Sequence, residues 1–172
     1  MNKDISLLVR PASNDDLAGI MKIMERARSF MASVGNPNQW IAGYPQKELM
    51  ESEIAEGHCF VCVNADGKLV ATFCFIDGVD PNYKYIEDGE WLNDKPYSVL
   101  HRLASDGTCS GIFDFCLEWC SSRSRNIRVD THRDNQILQH LLLKHGFTYC
   151  GIIYVSNGTP RLAFQRAFEF IS

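Results

Sequence analysis

The stretch IRVDTHRDNQILQHLLLKHGF, residues 127–147, decides the fold because strand, turn and helix signals follow one another in it without a gap. Ile127 to Thr131 has the apolar run of an interior strand. Asp134 stands where a helix N-cap is expected, and Gly146 stands where a glycine ends a helix. Between them, apolar residues recur at helical spacing, namely Ile137, Leu138, Leu141 and Leu142. The stretch therefore predicts a strand–helix unit of an α/β protein.

The same signals place further elements on both sides of this unit. After it, Phe147 to Val155 and Arg161 to Phe168 predict a closing hairpin that turns at Asn157-Gly158. Before it, the predicted strands are Ile5–Arg10, His58–Val63, Lys68–Ile76 and Tyr97–Ala104, and the predicted helices are 17–31, Pro45–Glu56 and Gly111–Ser122. The resulting order predicts a mixed sheet with helices on both of its faces.

The composition is that of one globular domain. The chain has 172 residues, of which 45% are apolar and 22% charged, and we expect a single domain over residues 1–172. The formal net charge is -4 and the cations are scattered, which disfavours a nucleic-acid or membrane-surface partner. The longest apolar run, Leu69 to Ile76, is too short to cross a bilayer, and the start MNKDISLLVRP has no signal-peptide pattern. A cytoplasmic location is therefore expected.

The seven cysteines predict free thiols rather than a metal site. Cys59 and Cys62 form a C-x-x-C inside a predicted strand, where side chains three residues apart point to opposite faces. Cys116 and Cys120 lie one helical turn apart, at the spacing of core residues. Cys109, just before a helix, keeps open a cysteine-based enzyme, because a helix N-terminus lowers the pKa of a thiol. No histidine is paired with it in the local sequence.

Two segments carry the residue types of a functional site. The first is HRLASDGTCSGIF, residues 101–113, in which a predicted strand runs through a glycine-bearing loop into a helix. Such a turn presents backbone N–H groups and the positive end of a helix to an anion such as a pyrophosphate. An ordinary strand-to-helix turn with two glycines has the same pattern, and both interpretations stay open at this point.

The second segment is RVDTHRDN, residues 128–135, where Arg128, Asp130 and His132 alternate on one face of a predicted interior strand. Polar side chains at such positions are costly unless they are paired or used. Either Arg128 and Asp130 form an ion pair and Asp134 caps the helix, or this face serves a functional site.

The order of the elements and the two segments together resemble the GNAT superfamily of N-acetyltransferases. The resemblance runs over nearly the whole chain, and Asn135 followed by Gly146-Phe147 matches the family's N-x(10)-G-F ending. The string that contains DTHRDN is similar to a bacterial subgroup. The resemblance implies an α/β fold with a mixed, mostly antiparallel sheet, a splayed central pair of parallel strands, and helices on both faces. It also implies transfer of an acetyl group from acetyl-CoA to an amine of a small molecule or peptide by direct attack, and, as a further expectation, a homodimer.

The resemblance also implies where the cofactor lies. The strand Tyr97–Ala104 should splay from the strand Ile127–Thr131 and receive the pantetheine arm in the gap. The pyrophosphate should rest on the N–H groups of residues 108–113, and Asn135 should contact the arm. The cofactor-binding residues implied in this way are Leu103, Ala104, Ser105, Thr108, Cys109, Ser110, Gly111, Ile112, Phe113, Thr131 and Asn135.

The phosphate loop departs from the family pattern. Aligned on Gly111, Thr108 stands where the family has Gln or Arg, and Phe113 stands where it has Gly or Ala. Thr108 removes a cation or an amide from the cradle, and Phe113 puts bulk where the cofactor approaches closely. Gly107 and Ser110 are candidates to compensate.

The residue that protonates the leaving thiolate in many family members is also replaced. Seven residues after Asn135 the chain has Leu142 where those members have a tyrosine, and Tyr149 and Tyr154 are candidate substitutes. Together with Phe113, this replacement keeps open a second function, a non-catalytic GNAT-shaped module that binds and senses an acyl-CoA.

A base must remove a proton from an alkylammonium, whose pKa is near ~10.4, before its nitrogen can attack a thioester. His101 is the predicted base because it shares a strand face with Leu103 and because an imidazole titrates near neutral pH. The alternative is a structural histidine that is hydrogen-bonded within the sheet.

Acceptor recognition is predicted for two polar segments that carry aromatic residues. Trp40 and Tyr44 lie in NPNQWIAGYP, and Trp91 lies in the insertion Asp80–Pro96, which holds five carboxylates and two lysines. An acidic rim with aromatic rings would attract a cationic amine and pack against its apolar part. The alternative is a solvated loop whose aromatic residues enter the core.

Overall fold

The structure, a computed structural model, describes residues 6–168. The predicted strand start at Ile5 and both ends of the predicted 1–172 domain lie outside these residues. The strands are β1 (Leu8–Pro11), β2 (Cys59–Val63), β3 (Leu69–Asp77), β4 (Ser98–Ser105), β5 (Asn126–Thr131), β6 (Thr148–Tyr154) and β7 (Pro160–Ala167). The helices are α1 (Leu17–Ser33), α2 (Lys47–Ala55), α3 (Ile112–Ser121) and α4 (Gln136–Lys144), with short 3-10 turns at Asn14–Asp16 and Pro81–Tyr83.

The strands form one sheet in the order β1-β2-β3-β4-β5-β7-β6. Its neighbouring strands pair antiparallel except β4 and β5, which run parallel. The predicted mixed, mostly antiparallel sheet is therefore confirmed, and so are its two hairpins. Between β2 and β3, the side chain of Asn64 accepts hydrogen bonds from the N–H groups of Asp66 and Lys68, which fixes the turn.

Helices cover both faces of the sheet, as predicted. On one face α1 and α2 bury Ile20 and Met50 completely. On the other face α3 and α4 bury Leu117 and Leu142 against the strands. Burying one such side chain contributes about 1.5–3 kcal/mol, so these two layers hold the sheet in place.

The cysteines follow the same division. Cys59 belongs to the cluster under α1 and α2, and Cys62 belongs to the cluster under α3, so the two thiols point to opposite faces as predicted. The Sγ atom of Cys62 lies 3.6 Å from that of Cys116. All seven cysteines are free thiols.

The sequence predicted Asp134 as the N-cap of α4, but the N-cap in the structure is Asn135. Asn135 Oδ1 accepts a hydrogen bond of 3.0 Å from the N–H of Leu138, which is the bond that defines a cap. The N–H of Asp134 donates to Nδ1 of His132 at 3.0 Å instead. Asp134 therefore closes the turn between β5 and α4.

β4 and β5 separate after a short paired region, and the sheet opens there. Their pairing is confined to Ser98 with Ile127 and Val99 with Arg128. Beyond this region, a bulge in β4 sets two residues opposite one of β3, and Arg102 in the bulge has a φ of 52°, in the left-handed region. The backbone of β4 beyond Val99 thus faces the gap without a partner strand on the β5 side. This is the predicted splay.

The insertion between β3 and β4 packs against β6. Glu87 and Ile152 exchange two backbone hydrogen bonds of 2.8 and 2.9 Å. Gly89 lies so close to β6 that a Cβ atom there would come within 1.9 Å of the carbonyl oxygen of Cys150. These contacts fix the insertion against the sheet. Its first residue, Asp80, lies beside His101 of β4.

Candidate active site

A cleft of about 1070 Å³ opens where β4 and β5 diverge. Its floor is the second half of β4, from Leu100 to Ser105, together with Val129 and Asp130 of β5. The rest of the lining comes from α1, the segment 36–49, the start of the insertion, Gly107, the start of α3, α4, the β6–β7 turn and Arg161. Ligand clefts in proteins measure roughly 300–1,000 Å³, so this cleft can hold a long ligand beside the unpaired edge of β4.

The loop between β4 and α3 offers backbone donors at one end of the cleft. Gly111 is the N-cap of α3 with a φ of 72°, a left-handed conformation that glycine adopts without strain. The first N–H groups of α3, beginning at Ile112, have no acceptor within the helix. An anion placed there would meet these donors and the positive end of the helix.

Two predicted members of the phosphate cradle have other contacts. Thr108 donates its N–H and its hydroxyl to Asp106 Oδ1, at 2.9 and 2.6 Å. The side chain of Phe113 borders the cleft but belongs to the core, where its ring centroid lies 5.5 Å from that of His145. The Thr108 N–H is thus already used in a local turn, and the bulk of Phe113 fills the core rather than the loop.

α1 places a cation beside this loop. Arg26 donates from Nη1 to the carbonyl oxygen of Ser105 at 3.2 Å. Its Nη2 atom would lie 2.1 Å from a Cβ atom at position 107, so the guanidinium rests directly on Gly107. Arg26 thus brings to the loop a positive charge that Thr108 lacks.

His101 lines the cleft and is paired with Asp80. Its Nε2 lies 3.1 Å from Asp80 Oδ2. Burial raises the pKa of Asp80, but hydrogen bonds from His101 and from the N–H of Asn82 outweigh burial and bring that pKa below its ordinary value. An ionised Asp80 can only accept, so Nε2 is the donor of this pair, and in the neutral imidazole Nδ1 keeps its lone pair. No described residue forms a hydrogen bond with Nδ1.

A second hydrogen-bonded pair, of which Tyr83 is buried and Asp130 half-buried, lies at the cleft floor. The hydroxyl of Tyr83 donates to Asp130 Oδ2 at 2.6 Å. Burial and the charge of Asp130 raise the pKa of Tyr83 well above its ordinary value, so the phenol stays protonated. Asp130 itself lines the cleft. Tyr83 therefore holds a carboxylate in place at the cleft surface.

Trp91 lies behind this pair and not in the cleft lining, and its predicted contact with the acceptor stays a prediction. Its Nε1 donates to the carbonyl oxygen of Tyr83 at 2.9 Å, and the two rings lie 5.1 Å apart. The guanidinium of Arg128 lies 4.1 Å from the Trp91 ring centroid and 3.9 Å from that of Tyr97. Arg128 thus stacks on aromatic rings and forms no ion pair with Asp130, so the two polar residues of β5 have different roles.

Trp40 and Tyr44 both line the cleft, where the segment 36–46 passes over it. Tyr44 accepts a hydrogen bond of 2.7 Å from Nε of Arg102, the residue in the β4 bulge. The Nη1 atom of Arg102 also lies 3.7 Å from a carboxylate oxygen of Glu53 in α2. These contacts tie the segment and α2 to the bulge.

Gln39 anchors the same segment to the other wall. Its Oε1 accepts hydrogen bonds from Asn135 Nδ2 at 2.8 Å and from Thr131 Oγ1 at 3.3 Å. Both polar atoms of the Asn135 side chain therefore have protein partners, since its Oδ1 caps α4. Thr131 is fully buried beneath Gln39. Both residues position the cleft wall, and their predicted contacts with the cofactor stay predictions.

The cleft brings together most of the residues predicted from the sequence. Those that line it are Trp40, Tyr44, His101, Leu103, Ala104, Ser105, Ile112, Phe113 and Asn135. Those outside its lining are Trp91, Thr108, Cys109, Ser110, Gly111 and Thr131. The cleft is thus lined by the edge of β4, the start of α3 and the segment 36–46. Residues 108–111 of the phosphate loop lie outside its lining.

The candidate substitutes for the missing acid lie away from the cleft. Leu142, which stands at the position of the missing acid, lies on α4 and is buried in the core. Tyr149 is half exposed on β6, and the hydroxyl of Tyr154 donates to Glu87 on the outer surface. Cys109, considered as a nucleophile, has no histidine within hydrogen-bond distance among the residues described.

Some cleft residues were missed or undervalued by the sequence analysis. Asp80 counted only as one carboxylate of the acidic insertion, yet its Oδ1 accepts the N–H of Asn82 at 2.8 Å. The Asp-Pro-Asn pattern at positions 80–82 is the signal of such a turn and could have singled it out. Arg26, Gln39 and Arg161 reach the cleft from remote elements and have no local motif.

Solved structures with the same fold identify the family. The crystal structure of a GNAT-family acetyltransferase from Streptococcus agalactiae matches this chain with a TM-score of 0.85 and 30% identity, over 96% of this chain and 99% of that one. The chain belongs to the GNAT family. GNAT-family acetyltransferases from Listeria monocytogenes (TM-score 0.72, 21% identity, 96% and 97% covered) and Bacillus cereus (0.60, 20%, 95% and 99%) share the fold at lower identity.

No family model and no curated protein sequence matches the chain. The predicted GNAT fold is nevertheless confirmed by the sheet, its parallel β4–β5 pair and the covering helices. Similarity to the subgroup with the DTHRDN motif stays a prediction. Within residues 6–168, no helix of this GNAT protein is long and apolar enough to cross a membrane.

Proposed function

We propose that this GNAT protein transfers an acetyl group from acetyl-CoA to the amine of a small molecule or peptide, by direct attack of the amine. The observation that carries the proposal is the unpaired edge of β4, which runs from His101 to the loop before α3. A proton acceptor at one end of this edge and anion donors at the other suit a ligand with a reactive head and an anionic tail.

The residues of the cleft fit such a cofactor. The backbone of Leu103 and Ala104 has no β5 partner across the gap and would hold the amide-bearing pantetheine arm. The N–H groups at the start of α3, with Arg26 beside them, would hold the pyrophosphate. Acetyl-CoA supplies an acetyl group that is already activated as a thioester.

His101 would deprotonate the acceptor. Its Nδ1 carries a lone pair because Asp80 fixes the proton on Nε2, and so Nδ1 can take a proton from the ammonium group. Asp80 then balances the positive charge of the imidazolium. The carboxylate of Asp130 lines the same cleft and would attract the ammonium form of the acceptor. Trp40 and Tyr44 would pack against its apolar part.

Calorimetry with CoA and a thiol-release assay on a panel of amines test the proposal together. The purified protein should bind CoA and release thiol from acetyl-CoA with at least one amine class. Absence of CoA binding at millimolar concentration would contradict the proposal. CoA binding without turnover of any amine would replace it by a module that binds acyl-CoA and catalyses nothing.

A further inference from the structure

Arg161, at the start of β7, is a buried cation at the cleft that the mechanism above does not use. It lines the cleft and its residue surface is only 7% exposed. Its Nη1 donates to Pro160 O at 2.9 Å and to Thr159 Oγ1 at 3.1 Å, and its Nη2 donates to Gln39 O at 3.1 Å. All three acceptors are uncharged. Its Nε has no hydrogen-bond partner among residues 6–168.

The charge of Arg161 is not neutralised by contact with a carboxylate. Within the described part of the chain, no carboxylate oxygen lies within 4.0 Å of its guanidinium nitrogens. Burial lowers its pKa, and the attraction of Asp130 offsets only part of this effect. A buried guanidinium is costly unless it is paired, and it remains charged at any physiological pH. An anion in the cleft would supply the missing partner.

The other two arginines of the cleft differ in this respect. Arg102 donates to Tyr44, and its Nη1 lies 3.7 Å from a carboxylate oxygen of Glu53, so it has an anion within ion-pair distance. Arg26 is exposed to solvent beside the phosphate loop. Arg161 alone among these three combines burial with the absence of a carboxylate within 4.0 Å among residues 6–168.

Sheet register places Arg161 next to Asp130. Asp130 pairs with Ala163 across β5 and β7, and Arg161 lies two residues before Ala163, so the two charged side chains share one face as diagonal neighbours. His101 and Asp80 line the same cleft from β4 and the insertion. The acceptor end of the cleft therefore carries an anionic group for an ammonium and a cationic group for an anion, side by side.

We propose that the acceptor is a small amine that also carries a carboxylate, of the amino-acid class, and that Arg161 binds this carboxylate while Asp130 and His101 receive the amine. This assignment rests on the proposed acetyl transfer, because only that reaction makes the bound amine an acceptor. Binding of a carboxylate by Arg161 can be measured whether or not acetyl transfer occurs. Apolar residues of the lining, among them Trp40 and Met31, surround the place for the side chain of such an acceptor.

Matched acceptors test the assignment. Each of the common L-amino acids is titrated by calorimetry in parallel with its amide and its decarboxylated amine, with and without saturating CoA. The free carboxylate should improve binding about tenfold or more, the size expected for a charge-assisted pair with Arg. Thiol release from acetyl-CoA should show the same preference in kcat/KM.

Two variants with a matched control locate the effect. Arg161→Met should reduce the preference for acid over amide to about one, and Arg161→Lys should keep part of it. Arg166→Met removes another β7 arginine that donates to a carbonyl oxygen but lies outside the cleft lining, and it should keep the full preference. Circular dichroism and CoA titration confirm that each variant is folded.

The outcomes separate this inference from the proposed function. Equal binding of acids and amides by the unaltered protein overturns the inference, whatever the variants do. Turnover of amines without a carboxylate preference leaves acetyl transfer standing and removes the role of Arg161. A preference for acids that is lost in Arg161→Met, without any CoA binding, supports the inference and contradicts the proposed function.

Discussion

The two ends of the cleft are built in different ways. The proposed cofactor end is one continuous piece of chain, residues 103–113, and its candidate binding groups are mostly backbone N–H and C=O groups of β4 and the start of α3. The proposed acceptor end is assembled from side chains of remote elements, with Asp80 from the insertion, Asp130 from β5 and Arg161 from β7. A site formed by backbone groups can still bind its ligand when side chains change, whereas a site formed by side chains loses binding groups with each substitution.

Under the proposed function, this difference accounts for how the chain can bind CoA without two side chains of the family's phosphate loop. Thr108 is engaged by Asp106, and the Phe113 side chain belongs to the core, yet the N–H groups at the start of α3 remain in place. At the acceptor end the binding groups are side chains, and no backbone group can replace one that is lost. Substitutions there should change catalysis and specificity strongly, whereas substitutions at the cofactor end should change affinity by small factors.

The largest effect is expected at His101. In His101→Ala, kcat should fall about 10²- to 10³-fold because the base is lost, while the affinity for CoA stays the same. The measurement is steady-state thiol release combined with calorimetry. His140→Ala, an exposed histidine of α4, is the control and should keep full activity. A His101→Ala variant with more than a third of the original kcat would remove His101 from the mechanism.

A substitution that disturbs the packing of the insertion should affect the acceptor end and leave the cofactor end unchanged. In Gly89→Ala the new Cβ would meet the carbonyl oxygen of Cys150, and relief of this contact should cost about 1–3 kcal/mol in the free energy of unfolding. Acceptor turnover should fall with it, since the insertion also carries Asp80. Urea unfolding measures the cost, and Glu90→Ala, at an exposed neighbour, should stay within about 0.5 kcal/mol of the original protein. Equal stability of both variants would show that the insertion is loosely packed.

The Asp80–His101 pair should show a pH-dependent contribution to stability. The pKa of Asp80 is lowered in the folded protein, so the charged carboxylate stabilises the fold above its unfolded pKa of about 3.9. This contribution is lost as the pH falls through the lowered folded value.

The original protein should therefore be more stable than Asp80→Asn by about 1 kcal/mol at pH 7, and the difference should shrink in acid. Urea unfolding of both proteins between pH 7 and pH 3 measures this trend. A difference that grows toward low pH would mean that the carboxylate is not held in its charged form.

The smallest effect is expected at the cofactor end. Arg26→Ala should weaken CoA binding by about 0.5–1 kcal/mol, roughly two- to five-fold, because one exposed charge beside the pyrophosphate is lost. Binding of pantetheine, which has no pyrophosphate, should not change. Lys22→Ala, one turn earlier on α1 and outside the cleft lining, is the matched control. Equal weakening of CoA and pantetheine would place Arg26 elsewhere than at the phosphates.

The parts of the molecule that sequence could predict are those with local signals. The strand–helix unit at residues 127–147 and the glycine at Gly111 follow from periodicity and backbone geometry, which neighbouring residues determine. The N-cap was assigned to Asp134 instead of Asn135 because both side chains can accept, and only the turn through His132 selects between them.

The acceptor end depends on contacts that no local pattern contains. His101 and Asp80 are 21 residues apart in the chain, and Arg161 and Gln39 are 122 apart. Trp91 was predicted to contact the acceptor because it lies in an acidic insertion that could attract a cationic amine, and in the structure its ring packs against Tyr83 and Arg128. Such choices are decided by tertiary packing, which composition and spacing do not determine.

Hydrogen–deuterium exchange with and without CoA tests the division of the cleft most directly. CoA should slow amide exchange in peptides that cover residues 103–113 and leave the insertion 80–96 unchanged, because backbone groups of β4 and α3 form the cofactor end. Protection that appears in the insertion, or no protection at 103–113 when CoA is saturating, would contradict this account.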